Sequence, residues 1–152
     1  MATSRSRGFT LIEIVIVLAI AGLIMIMAFL ALSGAETSRR DAQRKRDLQR
    51  LAAQLEFYAS NNDGTYPVNL ANAADWGPVG SYTPSNFNDP SQQNVNYFTV
   101  GYITGSVPGS TPGSLSYERG GLACDGVTPL SNNQFMVQMR LEQGGTSCID
   151  DH

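Results

Sequence analysis

The feature that most constrains this chain is an uninterrupted apolar run near its start. The 19 residues Ile14–Leu32 are all Ala, Val, Ile, Leu, Met or Phe, except Gly22. As a helix this run would be about 28 Å long, which is close to the thickness of a bilayer core. No other stretch of the sequence is long and apolar enough to span a membrane. The sequence therefore predicts a single-pass chain.

A cleaved secretory signal peptide is the alternative interpretation of this run. Arg5 and Arg7 would form its basic start, and Ser33-Gly34-Ala35 would be a poor cleavage site. The apolar core of a signal peptide is roughly 7–15 residues long. The observed run is too long for that interpretation.

Charge is segregated along the sequence. Residues 36–50 carry six bases and three acids, a net charge of +3, whereas residues 51–152 carry two bases and nine acids, a net charge of −7. The whole chain has a net charge of −3, which argues against a general nucleic-acid coat. The basic run Arg39–Arg50 has two interpretations: a solvated helix face that makes ion pairs between subunits, which we favour, or a site for anionic lipid or DNA.

The periodicity after the apolar run predicts a continuous helix. Apolar residues recur at three- and four-residue steps and form one stripe: Leu48, Leu51, Ala52, Leu55, Tyr58 and Ala59. Before the stripe, Asp41/Lys45 and Asp47/Arg50 have the spacing of ion pairs on a helix. Asn61-Asn62-Asp63-Gly64 is a stop signal. We expect one helix from about Thr10 to Asn61.

The remaining residues predict short strands. Residues 65–152 are rich in Gly and hold every Pro, which disfavours helices. The best strand is Gln134–Glu142, where apolar and polar residues alternate except at Met136. Val95–Ile103 and Ser114–Arg119 are two further predicted strands.

The fold class that these patterns predict is α+β. The C-terminal half of a long N-terminal α-helix would pack on a small antiparallel β-sheet, followed by a disulfide-tied C-terminal loop. The segment Tyr66–Asn94, which contains Trp76, is predicted to connect the helix to the sheet.

The residues directly before the apolar run carry a recognisable motif. Residues Arg7–Glu13 read RGFTLIE and follow a short basic leader. This arrangement resembles that of type IV prepilins and of the related pseudopilins. The resemblance implies cleavage between Gly8 and Phe9 by a dedicated membrane peptidase, and N-methylation of Phe9. It also implies that Glu13 pairs with the terminal amine of a neighbouring subunit's Phe9 during filament assembly.

Physical chemistry agrees with these roles. A carboxylate near the start of a spanning helix is unfavourable, by about 2.5 kcal/mol or more at the bilayer centre. Glu13 therefore either lies among the headgroups or has a cationic partner, and a new amine on Phe9 would be such a partner. Gly8 would give a protease close access to the backbone. The sequence departs from the resemblance at Leu30, where many bacterial pilins have a helix-bending proline, so the extent of unwinding in a filament stays open.

Cys124 and Cys148 are the only cysteines, and a disulfide between them is the natural interpretation if this part of the chain is exported. Two unpaired thiols are the alternative. Asp125, Asp150 and Asp151 lie nearby, and some pseudopilins bind calcium near their C-terminus. Acidic tails are usually only solvated, so we expect neither a metal site nor a cofactor.

The predicted organisation has four segments. These are a leader peptide (1–8), a transmembrane or filament-core helix (9–35), an amphipathic helix continuation (36–63) and an extracellular β domain (64–152). Two bases precede the apolar run and six follow it, so positive-inside counting favours a cytoplasmic C-terminus. The acidic C-terminal domain, the predicted disulfide and the resemblance favour the opposite orientation. We expect a precursor in the inner membrane and an extracellular filament.

Catalysis is poorly supported by the sequence. The only histidine is His152, and the paired glycines lack the Lys-Ser/Thr context of a phosphate-binding loop. The predicted function is a structural pilus subunit, which forms a filament of identical copies and has the prepilin peptidase/methylase and the pilus assembly machinery as partners. Adhesion, twitching motility and DNA uptake, with a host surface or DNA as partner, stay open. The alternatives are a pseudopilin of a type II secretion or competence apparatus, and a membrane-tethered binding module.

Overall fold

The computed structural model describes residues 8–70, 87–92, 95–100, 103–105 and 107–151. Residues 1–7 of the predicted leader, Trp76 and His152 lie outside these ranges. The chain divides into two compact units, Met1–Glu36 and Thr37–His152. The described elements are helices α1 (Leu11–Ser60) and α2 (Tyr97–Val100) and strands β1 (Ile103–Thr104), β2 (Leu115–Leu122), β3 (Pro129–Arg140) and β4 (Thr146–Asp150).

Helix α1 confirms the predicted long helix to within one residue at each end. Its sequence contains no proline, so no position inside the helix lacks the backbone N–H that the helical hydrogen bonds need. The helix ends at a glycine cap: Gly64 has a φ of 72°, and its N–H donates to the carbonyl of Ala59 at 2.9 Å. This left-handed conformation is the usual way in which a helix C-terminus is closed.

The second half of α1 packs on the sheet, as the apolar stripe predicts. Tyr58 is half-buried, and the other stripe residues are buried: Leu48, Leu51, Ala52, Leu55 and Ala59. They share one cluster with apolar side chains of β2 and β3, namely Leu115, Tyr117, Phe135, Val137 and Met139. Alternate residues of a strand point to the same face. The core of the second unit is therefore one helix face against one sheet face.

The sheet has the strand order β1-β2-β3-β4. Strands β2, β3 and β4 are antiparallel, and the two-residue β1 lies parallel to β2. This confirms the α+β class with a small antiparallel sheet. Strand β3 contains most of the predicted strand Gln134–Glu142 and begins five residues earlier. Strand β2 extends the predicted strand Ser114–Arg119.

Met136 breaks the polar face of β3 because a second small core lies on that side of the sheet. Its side chain is fully buried with Ala123 and Leu130, and Cys148 packs against them. The end of the β2–β3 hairpin thus covers part of the sheet face that α1 leaves open.

The predicted strand Val95–Ile103 is wrong. Residues Tyr97–Val100 form α2, and only Ile103–Thr104 is a strand. Tyr97 and Phe98 are consecutive and both belong to the same buried cluster, whereas consecutive side chains of a strand point to opposite faces. Burial, and then the carboxylate of Asp47, raises the pKa of Tyr97 well above its ordinary range. The hydroxyl therefore stays protonated and donates to Asp47 at 3.1 Å.

Candidate processing and assembly site

Gly8, Phe9 and Thr10 form a short non-helical segment directly before α1. All three are exposed, and Phe9 exposes 85% of its surface. Apart from Gly8 itself and its chain neighbours, no heavy atom of the described residues lies within 4 Å of the position that a Cβ on Gly8 would take. The Gly8–Phe9 peptide bond is therefore accessible and outside the helix, as a cleavable bond needs to be.

Glu13 and Thr10 form a reciprocal cap at the start of α1. The N–H and hydroxyl of Thr10 both donate to Oε2 of Glu13 at 2.9 Å, and the N–H of Glu13 donates to the Thr10 hydroxyl at 3.4 Å. This is a capping box, in which a Thr and a Glu three residues apart satisfy N–H groups that the helix leaves unpaired. Glu13 thus has a local structural role in addition to its predicted role in assembly.

The apolar part of α1 is exposed along its described length. Among the described residues, one helix is long and apolar enough to cross a membrane. None of its most apolar 18 residues is buried. Exposed apolar surface on this scale marks a site of contact with lipid or with other proteins.

In the second unit, a buried guanidinium joins α1 to two other parts of the chain. Arg44 is fully buried, although it lies in the run that was predicted as a solvated face. Its guanidinium donates to Asp41 at 2.9 Å, to Asp89 at 2.7 Å and to Glu142 at 3.1 Å. Asp89 lies in the segment 87–92, and Glu142 lies in the turn between β3 and β4. We call these four residues the Arg44 cluster.

The Arg44 cluster is extended by bonds that hold the same turn. Arg40 binds Glu142 through two parallel hydrogen bonds of 2.9 and 2.7 Å. Asp41 accepts the backbone N–H groups of Glu142 and Gln143 at 2.8 and 3.0 Å. The predicted ion pair Asp41/Lys45 is therefore wrong, because Asp41 points towards the β3–β4 turn. The other predicted pair, Asp47/Arg50, is confirmed at 3.0 Å.

The carboxylates of this cluster predict a pH-dependent stability. Burial raises the pKa of Asp41, but the N–H groups of Glu142 and Gln143 and the guanidinium of Arg44 outweigh burial and lower it below its ordinary value of 3.8. Hydrogen bonds from Arg40 and then Arg44, opposed by burial, lower the pKa of Glu142 below 4.5.

The unfolded chain therefore binds more protons than the folded chain at low pH, so stability rises with pH in that window. We expect Asp41 and Glu142 to contribute fully to the free energy of unfolding above pH 4.5. That contribution should be lost as the pH falls below 4.5 for Glu142 and below 3.8 for Asp41. Urea unfolding of the full chain in detergent, measured from pH 7 to 3, checks this expectation. Glu142→Gln should flatten the profile, and an unchanged profile would contradict it.

The predicted disulfide is present between Cys124 and Cys148, whose Cα atoms are 5.8 Å apart. It links the end of the β2–β3 hairpin to β4. The neighbouring carboxylates are engaged within the chain. Asp125 accepts the N–H groups of Val127 and Thr128, Asp150 accepts the N–H of Cys124, and Asp151 accepts the hydroxyl of Tyr66. The described ranges contain no group of three or more His, Cys, Asp or Glu residues that could hold a metal ion.

Removing the disulfide should destabilise the chain. Closing a loop between residues 24 positions apart is expected to contribute about 3 kcal/mol by restricting the unfolded state. The double variant Cys124→Ser/Cys148→Ser should lower the free energy of urea unfolding by that amount. The reduced unmodified chain is the control and should match the variant. A variant as stable as the oxidised chain would exclude this contribution.

Comparison with known families gives a match to the N-terminal region that contains the motif. Residues 3–29 match the family model of the prokaryotic N-terminal methylation motif, which is the signature of type IV pilins and pseudopilins. The match ends before the second unit begins at Thr37. Searches of curated proteins and of solved structures found no match.

The chain therefore carries a pilin-type processing signature on a long N-terminal helix. Its N-terminal segment is similar to that of type IV pilins and pseudopilins, which are structural proteins and usually not enzymes. The motif implies processing by a prepilin peptidase and assembly into a pilus or a secretion machinery. Together with the apolar helix, it fits a membrane-anchored precursor.

Proposed function

We propose that the chain is a structural subunit of a type IV pilus, cleaved between Gly8 and Phe9 and methylated at Phe9. The observation that carries the proposal is the methylation motif followed by an apolar helical segment that is exposed along its described length. In the membrane, lipid would cover this surface. After extraction, only packing against other apolar helices can cover it, and identical copies provide such helices.

In this proposal, residues 1–8 are removed, residues 9–35 form the filament core, residues 36–63 continue the helix and residues 64–152 form the exposed domain. The amine on Phe9 would pair with Glu13 of a neighbouring copy, since a desolvated carboxylate needs a cationic partner. That pairing would set the axial register of the subunits. The filament would then serve adhesion, twitching motility or DNA uptake.

The proposed orientation has the C-terminal unit outside the cytoplasm. The disulfide between Cys124 and Cys148 supports this orientation, because disulfides form and persist mainly in oxidising compartments. The positive-inside count opposes it, with two bases before the apolar run and six soon after it. Accessibility of the C-terminal unit to protease on intact spheroplasts would decide between the two.

A pseudopilin of a secretion or competence apparatus is the nearest alternative, since the matched motif is common to both groups. A pseudopilin would be processed in the same way but would form short assemblies in the cell envelope. A tethered binding module would be processed and stay monomeric.

The test is negative-stain microscopy of material sheared from producing cells, with mass spectrometry of the subunit. Filaments whose subunit begins at a methylated Phe9 would support the pilus proposal. A processed protein that stays in the membrane without filaments would favour the alternatives. A subunit that still begins at Met1 would overturn the processing step itself.

A further inference from the structure

From Thr37 to the end of α1 and its cap, the exposed charges are segregated by sign, after one exposed acid, Glu36, directly before this stretch. Near its start, Arg39, Lys45 and Arg46 are exposed, and we call them the basic patch. The two acids of the same stretch, Asp41 and Asp47, are buried. Because these acids point inward, the exposed surface of the helix between Thr37 and Asp47 carries only positive charge.

The other end of α1 has the opposite charge. Glu56 and Asp63 are exposed and flank Phe57, which exposes 58% of its surface. We call these three residues the end patch. The last turn of the helix contains no base that could offset Glu56 and Asp63, although a helix C-terminus favours cations over anions.

The charges of the two patches have no partner within the described part of their own chain. None of the five charged side chains makes a hydrogen bond or an ion pair there. The centres of the two patches lie about 16 residues apart on α1, roughly 24 Å along the helix axis. That distance is too long for contact within one molecule.

We propose that the basic patch of one copy binds the end patch of a second copy. Carboxylates and an exposed aromatic ring together suit Arg and Lys, through ion pairs and cation–π contact. Anionic lipid or DNA would account for the basic patch alone, whereas a second copy accounts for both patches at once.

The direction of the contact rests on the proposed function, which requires all copies to run parallel. Parallel copies displaced along the helix axis by about 24 Å bring opposite charges together. Each copy then keeps one patch free for the next, so the contact is head-to-tail and open-ended. An antiparallel pair would satisfy both patches in a closed dimer.

A zero-length carbodiimide cross-linker tests this contact on the full-length chain, in membranes and in detergent. Lys45 is the only lysine in the sequence. Glu56 of the same chain lies 11 residues away, about 16 Å along the helix, so an amide between Lys45 and Glu56 has to join two copies. We expect a ladder of products beyond the dimer, with Lys45 linked to Glu56 or Asp63.

Charge reversal makes the test specific. Arg39→Glu should lower the yield of the ladder by about tenfold, because like charges then face each other. Adding Glu56→Arg to that variant should restore the yield, now through the Lys45–Asp63 link. Asn133→Glu, which adds an acid at an exposed position of β3 outside both patches, is the control and should leave the yield unchanged.

The outcomes separate this contact from the proposed function. Ladders without extracellular filaments would support the contact between copies and contradict the proposed pilus function. Filaments in which Lys45 is linked only to acidic residues of the sheet, such as Glu118, would overturn the contact and still support the pilus function. Products that stop at the dimer, or binding of anionic vesicles or DNA through Arg39 without any ladder, would also overturn it.

Discussion

Replacing Arg44 with alanine is expected to lower the free energy of unfolding by about 3–5 kcal/mol, which is typical when one partner of a buried ion pair is removed. The guanidinium is fully buried, and so is the carboxylate of its partner Asp89. Without Arg44, Asp89 and Asp41 would stay in the interior with less positive charge to balance them. Urea unfolding of the full chain in detergent, followed by near-ultraviolet circular dichroism, measures the loss.

Two variants show whether burial of the Arg44 charge is the reason for the loss of stability. Arg39→Ala removes an exposed arginine from the same helix and should change stability by less than about 0.5 kcal/mol. Arg44→Lys keeps the charge but not the planar fork that binds several acceptors at once, so its loss should be intermediate. If Arg44→Ala is as stable as Arg39→Ala, the Arg44 cluster does not stabilise the fold.

Replacing Glu13 with alanine is expected to leave membrane insertion intact and to abolish filament assembly. Leaving one member of a buried charge pair without its partner costs about 3–5 kcal/mol. That energy corresponds to at least about a hundredfold in an association equilibrium. The measurements are the amount of protein in the membrane fraction and the amount of sheared filament.

The capping box requires controls that separate the charge of Glu13 from its local role. Glu13→Gln removes the charge, but a glutamine at this position can still cap the helix. Thr10→Ala breaks the cap and keeps the carboxylate. We expect Glu13→Gln to fail as completely as Glu13→Ala, and Thr10→Ala to assemble with a smaller loss. Normal filament yield from Glu13→Gln would refute the role of the charge and leave only the cap.

Local patterns in the sequence predicted the parts of the fold that depend on neighbouring residues. Helix α1 has a sustained apolar run, then a stripe with helical period, then a strong stop signal. Strand β3 has a clear alternation. The wrong strand Val95–Ile103 has β-favouring residues without alternation, and Tyr97 and Phe98 belong to one buried cluster, which favours a helical turn. Strand β4 was missed because its five residues, TSCID, do not alternate clearly.

The candidate site was also predictable only where its residues are close together in the sequence. Gly8, Phe9 and Glu13 lie within six residues, so a local motif contains all of them. The capping box was missed, although the T-x-x-E spacing of Thr10 and Glu13 signals it. The Arg44 cluster was not predictable, because two of the three partners of Arg44, Asp89 and Glu142, lie 45 and 98 residues further along the chain. Nothing in a helical periodicity distinguishes an inward arginine from its exposed neighbours.

The position of the disulfide has a consequence for the timing of export. Cys148 lies in β4, the last of the described strands, and among these strands β4 pairs only with β3. A chain that crosses the membrane from its N-terminal end, as the proposed orientation requires, presents Cys124 to the oxidising side 24 residues before its partner. During that interval the first thiol has no intramolecular partner, and β3 lacks one neighbour. Oxidative folding of the second unit is therefore completed only after Cys148 and β4 have been translocated.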